Sequence, residues 1–226
     1  MRSLASRGSI RIPASFTGTV GLKPSNYLKL GCNTTKLTWG TNQTAWGTIT
    51  RSTADATYVF DALTNNNNRF YNAINNIKSY KGNIGTMAFL PTLPYAIVDP
   101  KISRVMSSVL MKLNKSFDIQ YISDLGFSIN PEKAAATLWL DILLIYKQMY
   151  NDKLEKMDPY LQKLLCNRPG KKDIDESNEI KKIIINAIDT IFEKYDFILM
   201  PTVAVLPWAA GHNRPGLDET KIIGCS

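Results

Sequence analysis

A serine held between glycine and an Ile-Arg pair, Gly8-Ser9-Ile10-Arg11, is the group in this chain best suited to covalent chemistry. A serine hydroxyl attacks a carbonyl only with a general base within hydrogen-bond reach. It also needs backbone N–H groups aimed at the oxyanion that develops. By itself, Gly8-Ser9 beside Arg11 equally describes a tight turn. His212 is the only histidine, so a triad with Ser9 can be written down. It sits in the stretch from Gly211 to Gly216, however, and reads as a surface residue of a tail. Aspartates and glutamates are scattered without metal-ligand spacing, and no metal site is expected.

Composition bounds the remaining classes. The chain has 226 residues, 44% hydrophobic and 20% charged, enough apolar material for a packed core. Its net charge is +8. The basic residues are spread along the chain, densest at Arg168 to Lys172 and at Lys181-Lys182, and read as a solvated surface. No dedicated RNA-binding module is visible, so nucleic acid is not an expected partner. Trp46, Trp139 and Trp208 read as core packing. Cys32, Cys166 and Cys225 are widely spaced and odd in number, which excludes a complete disulfide framework and suits a reducing, cytoplasmic setting. The uncharged run Phe197 to Gly211 contains Pro201 and Pro207 and is too short to cross a bilayer. Asn33-Thr34-Thr35 and Asn42-Gln43-Thr44 match the glycosylation triplet without a preceding signal peptide.

The elements that must position Ser9 alternate between strand and helix patterns, which predicts an α/β fold. Ser15 to Lys23 reads as loop, strand and then a turn at Pro24, followed by a looser segment from Asn26 to Trp46. Ser52 to Leu63 predicts a helix, with Ser52 and Asp55 at capping-box spacing. Asn65 to Asn68 predicts a surface loop, and Asn72 to Asn83 a weakly helical linker. Ile84 to Leu90 predicts a strand. Asp99-Pro100 marks a helix start, with Asp as N-cap and Pro at the first helical position. Ile102, Val105, Met106, Val109, Leu110 and Leu113 follow at helical spacing. Phe117 to Ile122 predicts a second strand. Asn130-Pro131-Glu132 opens a helix to about Tyr150, and a further helix is expected from Glu176 to Tyr195. Phe197 to Met200 is apolar throughout, as in a strand buried on both faces. No internal repeat is present.

The longer string around Ser9, GSIRIPASFTGTVGLKPS, resembles the core of the amidase signature family. That family carries a Gly-Gly-Ser-Ile-Arg-x-Pro loop followed by a Gly-x-x-Gly-x-Lys-Pro strand. Three further stretches are similar to family motifs and fall in family order. They are Gly47 to Ala56, Ile84 to Asp99 with its Val-Asp-Pro ending, and Tyr195-Asp196-Phe197-Ile198-Leu199-Met200-Pro201-Thr202. The resemblance implies a mixed, twisted sheet flanked by helices, and Ser9 as the acyl-accepting nucleophile. It implies an oxyanion hole from the backbone N–H groups of Ser6, Arg7, Gly8 and Ser9, with Arg11 supporting the loop. A carboxylic amide is the implied substrate and no cofactor is implied.

In the family a desolvated lysine takes the proton through a bridging serine. An acyl-enzyme forms, ammonia or an amine leaves, and water completes hydrolysis. Both the lysine and the Gly-Ser-Ser-Gly-Gly stretch with the bridging serine lie upstream of the nucleophile. No lysine precedes Ser9 here, and Ser3 and Ser6 lack the glycine-rich context. Ala5 stands where the family has an aspartate, and Arg7 where it has the first glycine. The chain is therefore expected to be a partial domain, shortened at both ends. Its parts would be a nucleophile region (1–48), a helical and strand region (49–195) and a Pro-Thr strand with tail (196–226). It is expected to be inactive alone, or to complement a second chain carrying the upstream part. Some relatives form the amidase subunit of a complex that amidates Glu on transfer RNA.

Overall fold

In the computed structural model, residues 3–5, 8–25, 45–65, 67–79, 82–93, 96–127, 133, 140, 155–156, 162 and 170–209 are described. They form β1 (Ser3–Ala5), α1 (Arg11–Phe16), β2 (Val20–Leu22), β3 (Ala45–Thr50), α2 (Thr53–Thr64) and α3 (Arg69–Ser79). Then come β4 (Gly85–Phe89), α4 (Pro100–Leu113), β5 (Phe117–Tyr121), α5 (Lys171–Phe192) and β6 (Phe197–Leu199).

Two small sheets result. In the first, β3 pairs antiparallel with β1 over Ala45 to Gly47 and with β2 over Thr48 to Thr50. In the second, β4 is central and parallel to both β5 and β6. Parallel strands covered on both faces read as continuous apolar runs. Met87, Ala88, Phe89 and Leu90 are accordingly buried. Phe89 pairs in register with Tyr121, and their rings meet edge-to-face at 5.1 Å. The expectation of a doubly buried strand at Phe197 to Met200 is corrected: among the described residues β6 flanks β4 on one side only, with Phe197 and Met200 exposed, and β4 takes the buried position.

The polar signals place the helices well. Ser52 caps α2, its hydroxyl oxygen accepting from the Asp55 N–H at 3.1 Å and its O–H donating to the Asp55 carboxylate at 2.8 Å. Asp99 caps α4 by accepting the Lys101 N–H at 2.7 Å, with Pro100 at the first turn. Asn65, at the end of α2, adopts the left-handed conformation that Asn tolerates. Residues 72–79 belong to a full helix, α3, rather than to the weakly helical linker expected there. Its start is held by the buried Asp61 carboxylate, which accepts the Phe70 and Tyr71 N–H groups at 3.1 and 2.8 Å. The Phe60–Phe70 and Tyr58–Tyr71 ring pairs complete the α2–α3 hairpin. The last helix begins at Lys171 rather than Glu176, where Asp173 accepts the Gly170 N–H at 2.7 Å. Of the helix expected over 131–150, Lys133 and Leu140 are helical and the rest lies outside the described residues.

Asp196 ties the starts of the adjacent parallel strands β4 and β6 together. Its carboxylate accepts the Thr86 N–H at 2.8 Å and the Thr86 hydroxyl at 2.9 Å. Its own N–H returns to the Thr86 carbonyl at 3.0 Å. The Thr86 N–H, then the Thr86 hydroxyl, hold this carboxyl below the ordinary aspartate range.

Candidate active site around Ser9

Ser9 lies in a turn between Gly8 and Ile10 that leads directly into α1. Gly8 has φ of +96°, a region L side chains rarely adopt. A Cβ there would also lie 2.9 Å from Ile12 Cδ1. The Gly8 carbonyl accepts the Ile12 N–H at 2.8 Å, which closes the turn. Helix α1 over Arg11–Phe16 corrects the expectation of a loop from Ser15: Ala14 N–H donates to Ile10 O, and Thr17 N–H to Pro13 O.

Ile10 is the anchor behind this turn. Its side chain is 1% exposed and lies against two glycines of the antiparallel sheet. A Cβ on Gly21 would stand 2.9 Å from Ile10 Cγ2, and one on Gly47 only 2.3 Å from Ile10 Cδ1. β2 and β3 thus offer a backbone surface into which Ile10 fits, and Ser9 is carried next to that plug. Thr19 N–H and its hydroxyl both donate to the Ala14 carbonyl, at 2.9 and 3.3 Å, which fixes the passage from α1 to β2.

Arg11 points across the molecule. Its Nη1 donates to the main-chain carbonyl of Thr202, just beyond β6. Ala5, which stands where the family has an aspartate, is a strand residue paired with Ala45. A main-chain carbonyl serves Arg11 as its acceptor. At the other end of α1, Phe16 meets Trp208 edge-to-face with ring centroids 5.4 Å apart. Lys23 is committed elsewhere, its amine donating to the Pro24 carbonyl at 3.1 Å.

The site positions expected from sequence divide clearly. Gly8, Ser9 and Arg11 are brought into one turn and helix start. Ser6 and Arg7, expected in the oxyanion hole, lie outside the described residues, as do His212, Cys32, Cys166 and Cys225. Among the described residues no group of three or more His, Cys, Asp or Glu is placed to hold a metal ion. Nor is any described helix long and apolar enough to cross a membrane. Ile10, Gly21 and Thr202 had no place in the sequence-based site. The buried isoleucine in a polar motif was a readable signal for the first, whereas no side-chain pattern announces a carbonyl acceptor.

The family model for amidases matches residues 7–225. The chain belongs to the amidase family. None of the curated proteins matches it in sequence. Among solved structures, this chain is similar to a bacterial aryl acylamidase of the amidase signature family, with a TM-score of 0.74 at 16% identity. That match covers 92% of this chain and 46% of the other. It is similar to a second amidase, with a TM-score of 0.66 at 18% identity, covering 93% and 46% of the two chains. A third structure is an inhibitor-bound vestigial protein complex bearing on the evolutionary origins of an s-triazine catabolic enzyme. It matches with a TM-score of 0.67 at 14% identity, covering 93% and 47%. This amidase-family chain thus spans about half the length of these structures, and it shares their mixed helix-and-sheet fold.

Proposed function

We propose that this chain supplies the nucleophile half of an amide hydrolase. Ser9 Oγ attacks the carbon of a carboxylic amide, its proton passes to a base, and the C–N bond breaks to release ammonia or an amine. Water then cleaves the acyl-serine. The observation that carries this reading is the turn itself, with Gly8 at φ of +96° and Ile10 buried directly after Ser9. Such a turn presents one hydroxyl from an immobile support, which is what preorganised nucleophilic catalysis requires.

The base and bridging hydroxyl come, in this proposal, from sequence outside these 226 residues, in the same polypeptide or in a second one. Large apolar side chains support a missing complement: Ile97, Val105, Met111 and Tyr121 are 62% to 71% exposed. The widely spaced cysteines fit a cytoplasmic setting.

Ammonia release from simple carboxamides tests the proposal. The isolated chain is expected to give none. Adding a polypeptide that carries the Gly-Ser-Ser-Gly-Gly stretch and its lysine should produce release that Ser9→Ala abolishes. Release from the isolated chain that depends on Ser9 would show that the base lies within it. Activity of the completed assembly that survives Ser9→Ala would refute the nucleophile.

A further inference from the structure

Both ends of α1 are fastened to one distant piece of chain. Arg11, its first residue, reaches the Thr202 carbonyl across 191 positions of sequence. Phe16, its last, packs on Trp208. We propose that residues 202–208 are a strap that positions the nucleophile turn, with Arg11 as a positioning residue acting through the Thr202 carbonyl. The proposal rests on the reading of Ser9 as nucleophile.

The physical need for a strap follows from the Ile10 plug. The buried Ile10 and Ala14 side chains and the Thr19–Ala14 hydrogen bonds hold the turn and α1 against the antiparallel sheet, yet none of them ties the turn to the parallel sheet. The two contacts at opposite ends of α1 supply that tie. Arginine suits the first because its guanidinium is a planar, preorganised set of donors that is always charged, whereas lysine places a point charge on a flexible stem. An edge-to-face aromatic pair suits the second because it restricts relative angle as well as distance. The strap is itself secured. It follows β6, which is hydrogen-bonded into the parallel sheet, and Ala204 accepts the Asp99 N–H at 2.8 Å while Val205 is buried. The Pro-Thr motif thereby acquires a role its side chains do not suggest: it delivers a carbonyl to the arginine of the Ser-Ile-Arg motif.

Hydrogen exchange of the full 226-residue chain, followed by mass spectrometry, tests this. Arg11→Ala should lower protection of the amides of residues 10–16 roughly three- to tenfold, the range for one net hydrogen bond. Arg11→Lys should fall between that and wild type. Methylguanidinium added to Arg11→Ala should restore protection while leaving wild type unchanged, which a general loss of folding would not allow. Trp208→Leu should loosen the same amides from the other end. Arg104→Ala, which removes an equal charge from exposed α4, should match wild type. Should Arg11→Ala fail to fold, Arg11→Lys and Trp208→Leu carry the comparison. Wild-type protection of residues 10–16 in both Arg11 and Trp208 variants overturns the strap. Loosening without rescue by methylguanidinium overturns the positioning role of Arg11. Neither result bears on Ser9 as nucleophile, which the ammonia assay decides separately.

Discussion

Replacing Gly47 by alanine puts a methyl group where the Ser9 turn meets its support. A Cβ on Gly47 would lie 2.1 Å from the Leu22 carbonyl oxygen and 2.3 Å from Ile10 Cδ1. Comfortable separations between such atoms are about 3.5 Å, so β2 and β3 must part by roughly 1 Å, or more, against their own hydrogen bonds. The alanine also lowers the entropy of the unfolded chain, a favourable effect of about 0.4–1 kcal/mol. Overpacking costs about 1–3 kcal/mol where side chains can yield. Here the nearest atom is a main-chain oxygen, so the cost belongs at the upper end and exceeds the entropy gain. We expect a net loss of about 2–3 kcal/mol, a fall in Tm of about 4–12 °C for a chain of this size. Urea denaturation with unchanged slope measures it. Ile10→Val then serves as an internal check. Alone it should cost about 0.5–1.5 kcal/mol. In the Gly47→Ala background it removes one of the two clashing groups and should cost less, giving a coupling of about 0.5 kcal/mol or more. The Leu22 carbonyl remains, so recovery stays incomplete. A loss below about 0.5 kcal/mol for Gly47→Ala, or strict additivity with Ile10→Val, would refute the plugged-turn account.

The Thr86 N–H and hydroxyl depress the Asp196 carboxyl in the folded chain, so its contribution is fully present above the unfolded pKa of about 3.9 and is lost as pH falls through the folded value. Urea midpoints of wild type and Asp196→Asn should therefore differ at pH 7, and the difference should shrink as the pH falls through the folded value. Asp61→Ala leaves two N–H groups at the start of α3 without their acceptor, and should cost about 1–3 kcal/mol, read by denaturation and by exchange confined first to residues 69–79. Asp99→Ala removes the α4 cap and should cost about 1 kcal/mol, with Asp99→Ser recovering most of it.

Side-chain signals that act locally were legible in the sequence, and tertiary ones were not. Ser52 and Asp99 announced α2 and α4 because a cap is satisfied within three residues of itself. α3 was undervalued because its asparagine-rich sequence has modest propensity, and its first turn is satisfied by Asp61 from the preceding helix. Helix α1 was missed because six residues, one of them Pro13, give too short a pattern to show a helical period. Phe197 to Leu199 looked more central than Met87 to Phe89 by hydrophobicity alone. Strand order, which hydrophobicity does not encode, put β4 between its neighbours.

The same distinction explains why the motif around Ser9 is only half understood from its chemistry. Reactivity draws the eye to the serine, and charge to the arginine. The intervening Ile10 is the residue of that motif committed to the core, at 1% exposure. Its burial demands glycine at positions 21 and 47, so three separated stretches of sequence are constrained by one side chain. Arg11 imposes a different kind of constraint, since the Thr202 carbonyl it uses would be supplied by any residue at that position whose backbone follows the same path. Substitutions of the Thr202 side chain should therefore be tolerated where changes to β6 register are not. Ser9, placed between a plug and a clamp, inherits its backbone position from both sheets. For that reason, stabilising either sheet alone is expected to do less for the turn than preserving the Arg11 bridge between them.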